Sequence, residues 1–333
     1  MSAPVKAVAL GGGHGLHASL SALRLVTTDL TAVVTVADDG GSSGRIRHEL
    51  DVLPPGDLRM ALAALAGDDP DHRAWAELLQ HRLGGSGALA GHPVGNLVLT
   101  GLLEQHDAIP ALNRMAELVG AVGRVLPMSP VPLDLIAEAD RFDPADPERR
   151  RRIRGQSSPP ATPGRVRSIR LLPAGAPACA SAVDAVREAD LVVLGPGSWF
   201  TSVIPHLLLR ELGVALATTR ARLVVTLNLV PQPGETDDFS PVELLRTLAA
   251  HAEPCGGLRI DAVLGDIDAI TDERELRAFT DQIGARLLLS NLATDDDAGV
   301  HDPMRLAQAY RNTLDTTGTN TAASDTTGGQ EWR

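Results

Sequence analysis

The sequence predicts an α/β fold: a doubly wound, mostly parallel sheet with helices on both faces and a small β excursion around residues 130–172. Three observations carry this expectation. Apolar runs of strand length recur at residues 5–10, 30–36, 191–194, 223–227 and 261–264. Segments with helical spacing alternate with them, the pattern of a parallel sheet crossed by helices. The runs are apolar on both faces, which suits strands covered on each side.

The elements follow in order. The run at 5–10 meets a glycine cluster, GGGHG (11–15), and Leu16, Leu20 and Leu23 then mark a helical face. The run at 30–36 ends at Asp38-Asp39, and the Gly/Ser-rich stretch after it reads as a loop. Residues 58–66 and 75–83 read as helices, and 94–104 as a buried helix. Residues 133–139 and 166–172 read as strands of the excursion. Residues 141–165 between them, with five arginines among 149–154, read as a solvated loop. A second strand, glycine turn and helix begin at 191–194, GPGS (195–198) and 203–212. A strand at 223–227, a helix at 242–251, a strand at 261–264 and a helix at 273–283 complete the alternation. One domain of two lobes over residues 1–312 is expected. Residues 313–333, reduced to small polar types, are expected to be a disordered tail.

Composition excludes several classes. Net charge is -12 and aromatics are 2 %, so neither the basic stripe nor the stacking platform of a nucleic-acid binder is present. Cys179 and Cys255 stand in no metal or redox spacing and read as reduced thiols. The start of the chain shows no basic and apolar leader, and no apolar run of about 18 residues occurs. A cytoplasmic protein without membrane insertion is expected, self-association being left open.

The polar motifs gather after the predicted strands, where open α/β sheets hold ligands. Gly12, Gly13 and Gly15 bring backbone N–H groups close to a helix start, a setting for phosphate. The third glycine of the dinucleotide fingerprint is replaced by Leu16, which weakens an NAD reading. Asp38 and Asp39 suit ribose hydroxyls or Mg²⁺, Ser42 and Ser43 offer donors, and Arg45 with Arg47 suits phosphate. Asp57 reads as a helix N-cap with Arg59 behind it. His92 and Asn96 are candidates for polar contacts in the cleft or for loop support. In the second half Gly195, Gly197, Ser198, Thr201 and Ser202 repeat the glycine-turn theme. Asn228, Gln232, Glu235, Thr236 and Asp237 supply base, ribose or sugar contacts.

With GGGHGL (11–16), TAVVTVADDGGSSGRIRHEL (31–50), PPGDLR (54–59), GHPVGNLVLTGL (91–102), GPGSWFTSVIPHLL (195–208) and PQPGETDDFS (231–240), the chain resembles the YvcK-like gluconeogenesis-factor family. That family is related to the 2-phospho-L-lactate transferases of the CofD-like superfamily. The resemblance implies a Rossmann-like fold with a nucleotide in the cleft. In the gluconeogenesis branch it implies a UDP-sugar, such as UDP-N-acetylglucosamine, and a regulatory role in envelope growth and cell shape on gluconeogenic carbon. In the transferase branch it implies a Mg²⁺-assisted transfer of a phospholactyl-type group, with Asp38 and Asp39 as metal ligands. The first reading needs no cofactor. Met60, Gln156 and Val300 depart from the family pattern, which has Asn, an acid and Arg there.

Overall fold

The structure, a computed structural model, describes residues 3–37, 40–140, 149, 151–154, 165–232, 235–237 and 239–314. From the N-terminal side the chain runs β1 (Ala7–Gly11), α1 (Gly13–Leu23) and β2 (Leu30–Val34). Five helices follow: α2 (Gly41–Glu49), α3 (Pro55–Ala64), α4 (Pro70–Gln80), α5 (Val94–Gln105) and α6 (Ala108–Leu118). Then come β3 (Arg124–Pro127), β4 (Asp134–Asp140), β5 (Arg151–Arg154), β6 (Arg165–Leu172), α7 (Ala180–Glu188) and β7 (Leu191–Leu194). A π-helical turn (Trp199–Val203) precedes α8 (Pro205–Leu208), α9 (Arg210–Thr218) and β8 (Arg222–Thr226). The remaining elements are α10 (Pro241–Ala252), β9 (Ala262–Asp266), α11 (Glu273–Gln282), β10 (Arg286–Ser290) and α12 (Pro303–Leu314).

Seven parallel strands form the main sheet in the order β10-β9-β8-β7-β1-β2-β3. Ala7 pairs in register with Leu30 on one side and Leu191 on the other. From β1 the chain therefore progresses outward through β2 and β3, then returns and progresses the other way from β7. Right-handed crossovers place the helices of the two halves on opposite faces. This is the doubly wound fold expected from the sequence. Every residue of β1, β2, β7 and β9 is buried, which explains their unbroken apolar character. The core is aliphatic apart from a few aromatics, among them the fully buried Trp199, Phe200 and Tyr310. β5-β4-β6 is a separate antiparallel sheet, the expected excursion. Arg165 of β6 fastens it to the main body: its guanidinium donates to Glu243 at 2.6 Å and lies 4.4 Å from the centre of the Phe239 ring.

Several elements differ from the sequence reading. Residues 41–49 are a helix, not a loop; Ile46 is its one large apolar side chain, so no period marked it. Asp57 sits in the first turn of α3 rather than at its N-cap, because Pro54 takes the cap and Pro55 the first helical position. The helix expected over 203–212 is broken in two places. Pro205 has no N–H for the Thr201 carbonyl, which accepts a hydrogen bond from the Thr35 hydroxyl instead, at 3.3 Å. Leu209, with extended backbone, then separates α8 from α9. Residues 151–154, expected in a loop, pair with β4 as a strand. α5 is only half buried, with Val98 and the Glu104–Gln105 end exposed. Thr313, expected to open the tail, is buried in α12; residues 315–333, the rest of that expected tail, lie outside the described residues. Among the described residues no single helix is long and apolar enough to cross a membrane.

Candidate functional site

The strand order reverses between β1 and β7, and the two glycine turns leave the sheet side by side there. A Cβ on Gly15 would collide with the Pro196 carbonyl and stand 2.6 Å from Gly197 Cα. Only a glycine permits this approach. Gly12 is equally crowded: a Cβ there would strike Asp57 Oδ2, and would lie 2.5 Å from Thr35 Cγ2 and 3.1 Å from Ser202 Oγ. Gly12 is the N-cap of α1, provides no side-chain cap, and no acid follows in the first turn. The start of α1 therefore brings its partial positive charge to the switch point, with the Asp57 carboxylate of α3 beside it.

The second turn is held from behind. The Asn228 side chain, after β8, accepts from Gly197 N at 2.7 Å and donates to Gly197 O at 3.0 Å. Ser198 Oγ donates to Glu235 at 2.5 Å and accepts from Thr201 N at 3.0 Å and from the Thr201 hydroxyl. Glu235 also accepts from Phe200 N at 2.9 Å. Ser198 and Thr201, expected to offer hydroxyls to a phosphate, are thus engaged internally, Ser198 on the Glu235 carboxylate and Thr201 on Ser198. Ser202 is not: its hydroxyl makes no hydrogen bond to a described residue and lies beside Gly12. The Thr236 hydroxyl accepts from Gln232 N at 2.8 Å, closing the loop below.

On the β2 side, Asn96 Nδ2 donates to Ser42 Oγ at 2.9 Å, and Ser42 Oγ lies 2.7 Å from His92 Nδ1. Burial, then Arg45, lowers the His92 pKa against the opposing pull of Glu49. In the neutral tautomer with its proton on Nε2, the ring accepts the Ser42 proton at Nδ1. Ser43 Oγ accepts from Gly56 N at 3.0 Å, tying α2 to the start of α3 beside Asp57. Arg45 donates to the Ala88 and Ala90 carbonyls at 3.4 and 2.9 Å. Arg47 instead turns outward to Leu133 O and the Asp134 carboxylate. The expected residues therefore form one continuous edge: Asn96 to Ser42, Ser43 to Gly56, Asp57 to Gly12, Ser202, and Gly15 to Gly197 and Asn228. Asp38 and Asp39, the expected Mg²⁺ ligands of the transferase reading, lie outside the described residues. Among the described residues no three His, Cys, Asp or Glu side chains gather as metal ligands.

Four buried polar atoms near these loops lack a hydrogen-bond partner: Arg59 Nε, Asn96 Oδ1, Gln232 Oε1 and His301 Nε2. His301 follows Val300 and carries no sequence signal of its own. Burial pushes its pKa down to about 4, against Asp266 and a backbone hydrogen bond to Leu227. Asp266, at the end of β9, accepts from the backbone N–H of Leu292, Ala293, Asp268 and Ala269. Burial would raise its pKa, and those four donors more than reverse that. Val300 is half exposed on the same edge. Asp266 carried no sequence signal beyond its place after a strand.

Fold and site together define a doubly wound, Rossmann-like α/β protein with a glycine-walled cleft at its switch point. The family model described as 2-phospho-L-lactate transferase CofD matches residues 7–285. A relative from Mycobacterium tuberculosis (strain ATCC 25618 / H37Rv) is 54 % identical over 304 residues, 90 % of this chain and 87 % of that one. The gluconeogenesis factor of Bacillus subtilis (strain 168) is 37 % identical over 269 residues, 80 % of each chain. A crystal structure of a UPF0052 family member from Bacillus halodurans superposes with a TM-score of 0.81 at 31 % identity, covering 95 % of this chain and all of that one. The chain belongs to the gluconeogenesis-factor family and carries its CofD-like domain.

Proposed function

We propose that this chain is a nucleotide-sugar-binding regulatory protein, acting in the cytoplasm on envelope growth and cell shape during use of gluconeogenic carbon. Its ligand is UDP-N-acetylglucosamine or another UDP-sugar, and no turnover is required. One observation carries the reading: the uncapped start of α1 and the unpartnered Ser202 hydroxyl meet across Gly12 at the switch point. That is where a diphosphate finds N–H donors and a favourable helix end, with the Asp57 carboxylate beside Gly12 as the one group it has to accommodate among the described residues. Gln232 and Asp237 on one side and Asn96 on the other suit base and sugar, with Asn228 holding the Gly197 turn between them. A thermal-shift series tests it. UDP-N-acetylglucosamine at ~100 times its dissociation constant adds roughly 2.7 kcal/mol of stability. No shift with millimolar UDP-sugars, beside a clear shift with NAD, would sink the reading.

The match to a transferase family model over residues 7–285 favours a second reading, Mg²⁺-dependent transfer of a phospholactyl-type group. Asp38 and Asp39 would then hold the ion, which supplies Lewis acidity at the transferred phosphorus. Mass-spectrometric detection of a Mg²⁺-dependent product from a guanosine diphosphate donor, lost on changing both acids to Asn, decides for it.

A further inference from the structure

We propose that the cleft contains a second anion subsite, built on Arg59 and Arg82 on the α3–α5 flank, which takes a carboxylate or phosphate carried by the ligand beyond its diphosphate. The proposal rests on the nucleotide-sugar reading and names the class of sugar: an acidic one.

Arg59 is 4 % exposed, yet its guanidinium makes no hydrogen bond or ion pair with any described residue. Its Nε is wholly enclosed and unpartnered. The stem is clamped under the first turn of α5, where a Cβ on Gly95 would lie 2.9 Å from both Arg59 Cγ and Cδ. Gly95 is therefore the residue that lets the arginine lie there, and the side chain has little freedom to seek another partner. Burial and then the nearby Arg82 push its pKa down to about 10, with Asp57 pulling the other way. The group is still a cation at neutral pH.

Arg82 and Arg45 stand on the same flank and, among the described residues, bond only backbone carbonyls, Arg82 to Gly91 O at 2.9 Å. None of these three arginines is ion-paired among the described residues, in a chain of net charge -12. A buried cation that forms no ion pair with a described residue, beside a second cation and with Asp57 as an attractive charge, leaves a place for a counter-charge carried by a ligand. The neighbouring groups fit that role. Asn96 and the Ser42–His92 pair line the same flank, and Asp57, two residues before Arg59, abuts Gly12. A diphosphate held at the glycine turn can extend its substituent toward this flank.

The test compares UDP-glucuronate with UDP-glucose, which differ only in a carboxylate, by calorimetric titration of the full chain. The wild type prefers UDP-glucuronate by roughly tenfold or more, a gain typical of one charge-assisted contact. Arg59→Met, similar in length and apolar, brings the ratio of the two affinities close to one; exposed Arg82→Met lowers it in part. Circular dichroism and thermal midpoints confirm that both variants fold. Equal affinity of the wild type for the two ligands overturns the proposal. So does an Arg59→Met loss shared equally by both, which would place Arg59 on the diphosphate itself. If no UDP compound binds, the nucleotide reading fails, and orthophosphate becomes the probe. A phosphate-induced thermal shift lost in Arg59→Met then upholds the subsite, and no shift overturns it.

Discussion

The hydroxyl of Tyr310 lies 2.8 Å from Ser19 Oγ, and Ser19 donates in turn to the Gly195 carbonyl at 2.9 Å. Ser19 spends its proton on Gly195, so Tyr310 donates to Ser19 and Thr226, 3.2 Å away, donates to Tyr310. The chain's single tyrosine thus links α12, α1 and β8 to the second glycine turn. Burial raises its pKa to about 12, so it remains a donor at any working pH.

Tyr310→Phe breaks this relay in the middle and leaves the Ser19 and Thr226 hydroxyls short of a partner. It costs about 1–2 kcal/mol in urea unfolding. It also loosens the Gly195 turn, so UDP-sugar affinity falls while Ser19→Ala gives a similar loss. A variant as stable as wild type would remove the relay from the account.

Glu235 is shifted in the same direction as Tyr310, by the same cause. Burial raises its pKa, and the Ser198 and Phe200 hydrogen bonds offset only part of that. A carboxyl with a raised folded pKa favours folding while protonated, and that advantage fades as pH rises above the ordinary value of 4.5. Glu235→Gln keeps an acceptor for both donors and drops the charge. Its stability gain over wild type is therefore present at pH 7 and shrinks toward pH 4. Urea midpoints at three pH values check this, and a destabilised variant at pH 7 contradicts it.

How much of this was legible beforehand depended on local chemistry. The switch point was readable because both glycine turns follow fully buried strands, and buried parallel strands cannot be mistaken for loops. β3 and β10 left weaker traces: β10 is a half-exposed edge strand flanked by Arg286 and Ser290. Pro205 was in plain view as a helix breaker and outweighed by the apolar run around it. Residue type also cannot name a partner. Ser198 and Thr201 are good phosphate donors by chemistry, yet Glu235, 37 positions from Ser198, takes their region first. Arg82 read as the end of a helix, and nothing local set it beside Arg59.

Two histidines govern behaviour in acid. Burial pushes both His206 and His301 down to about 4. His206 has Nδ1 3.2 Å from Val203 O and Nε2 3.1 Å from Val33 O, so its neutral ring can satisfy only one of them. For a base with a lowered folded pKa, stability is complete above 6.5 and is lost as pH falls toward 4. The gap amounts to roughly 3 kcal/mol per histidine. His206→Gln should flatten the loss between pH 6.5 and 4 while lowering stability at pH 8. An unchanged acid slope would assign the loss to other groups.

The two glycine turns meet at Gly15. Gly15 sits in α1 with Pro196 and Gly197 backbone pressed against it, and neither is a flexible side-chain end that can move away. Gly15→Ala therefore has to part β1 from β7 at their C-terminal ends or tilt α1. Overpacking of this kind costs about 1–3 kcal/mol, and it displaces the N–H groups proposed to hold the diphosphate. Gly84 provides the matched control, since a Cβ there meets nothing within 4 Å. Gly84→Ala should be neutral or stabilising by about 0.4–1 kcal/mol through the unfolded chain. Denaturant unfolding ranks the two variants, and a UDP-sugar titration follows each. Loss of binding in Gly15→Ala with retention in Gly84→Ala places the ligand at the switch point. Full binding by a folded Gly15→Ala protein would move the ligand elsewhere on the sheet edge.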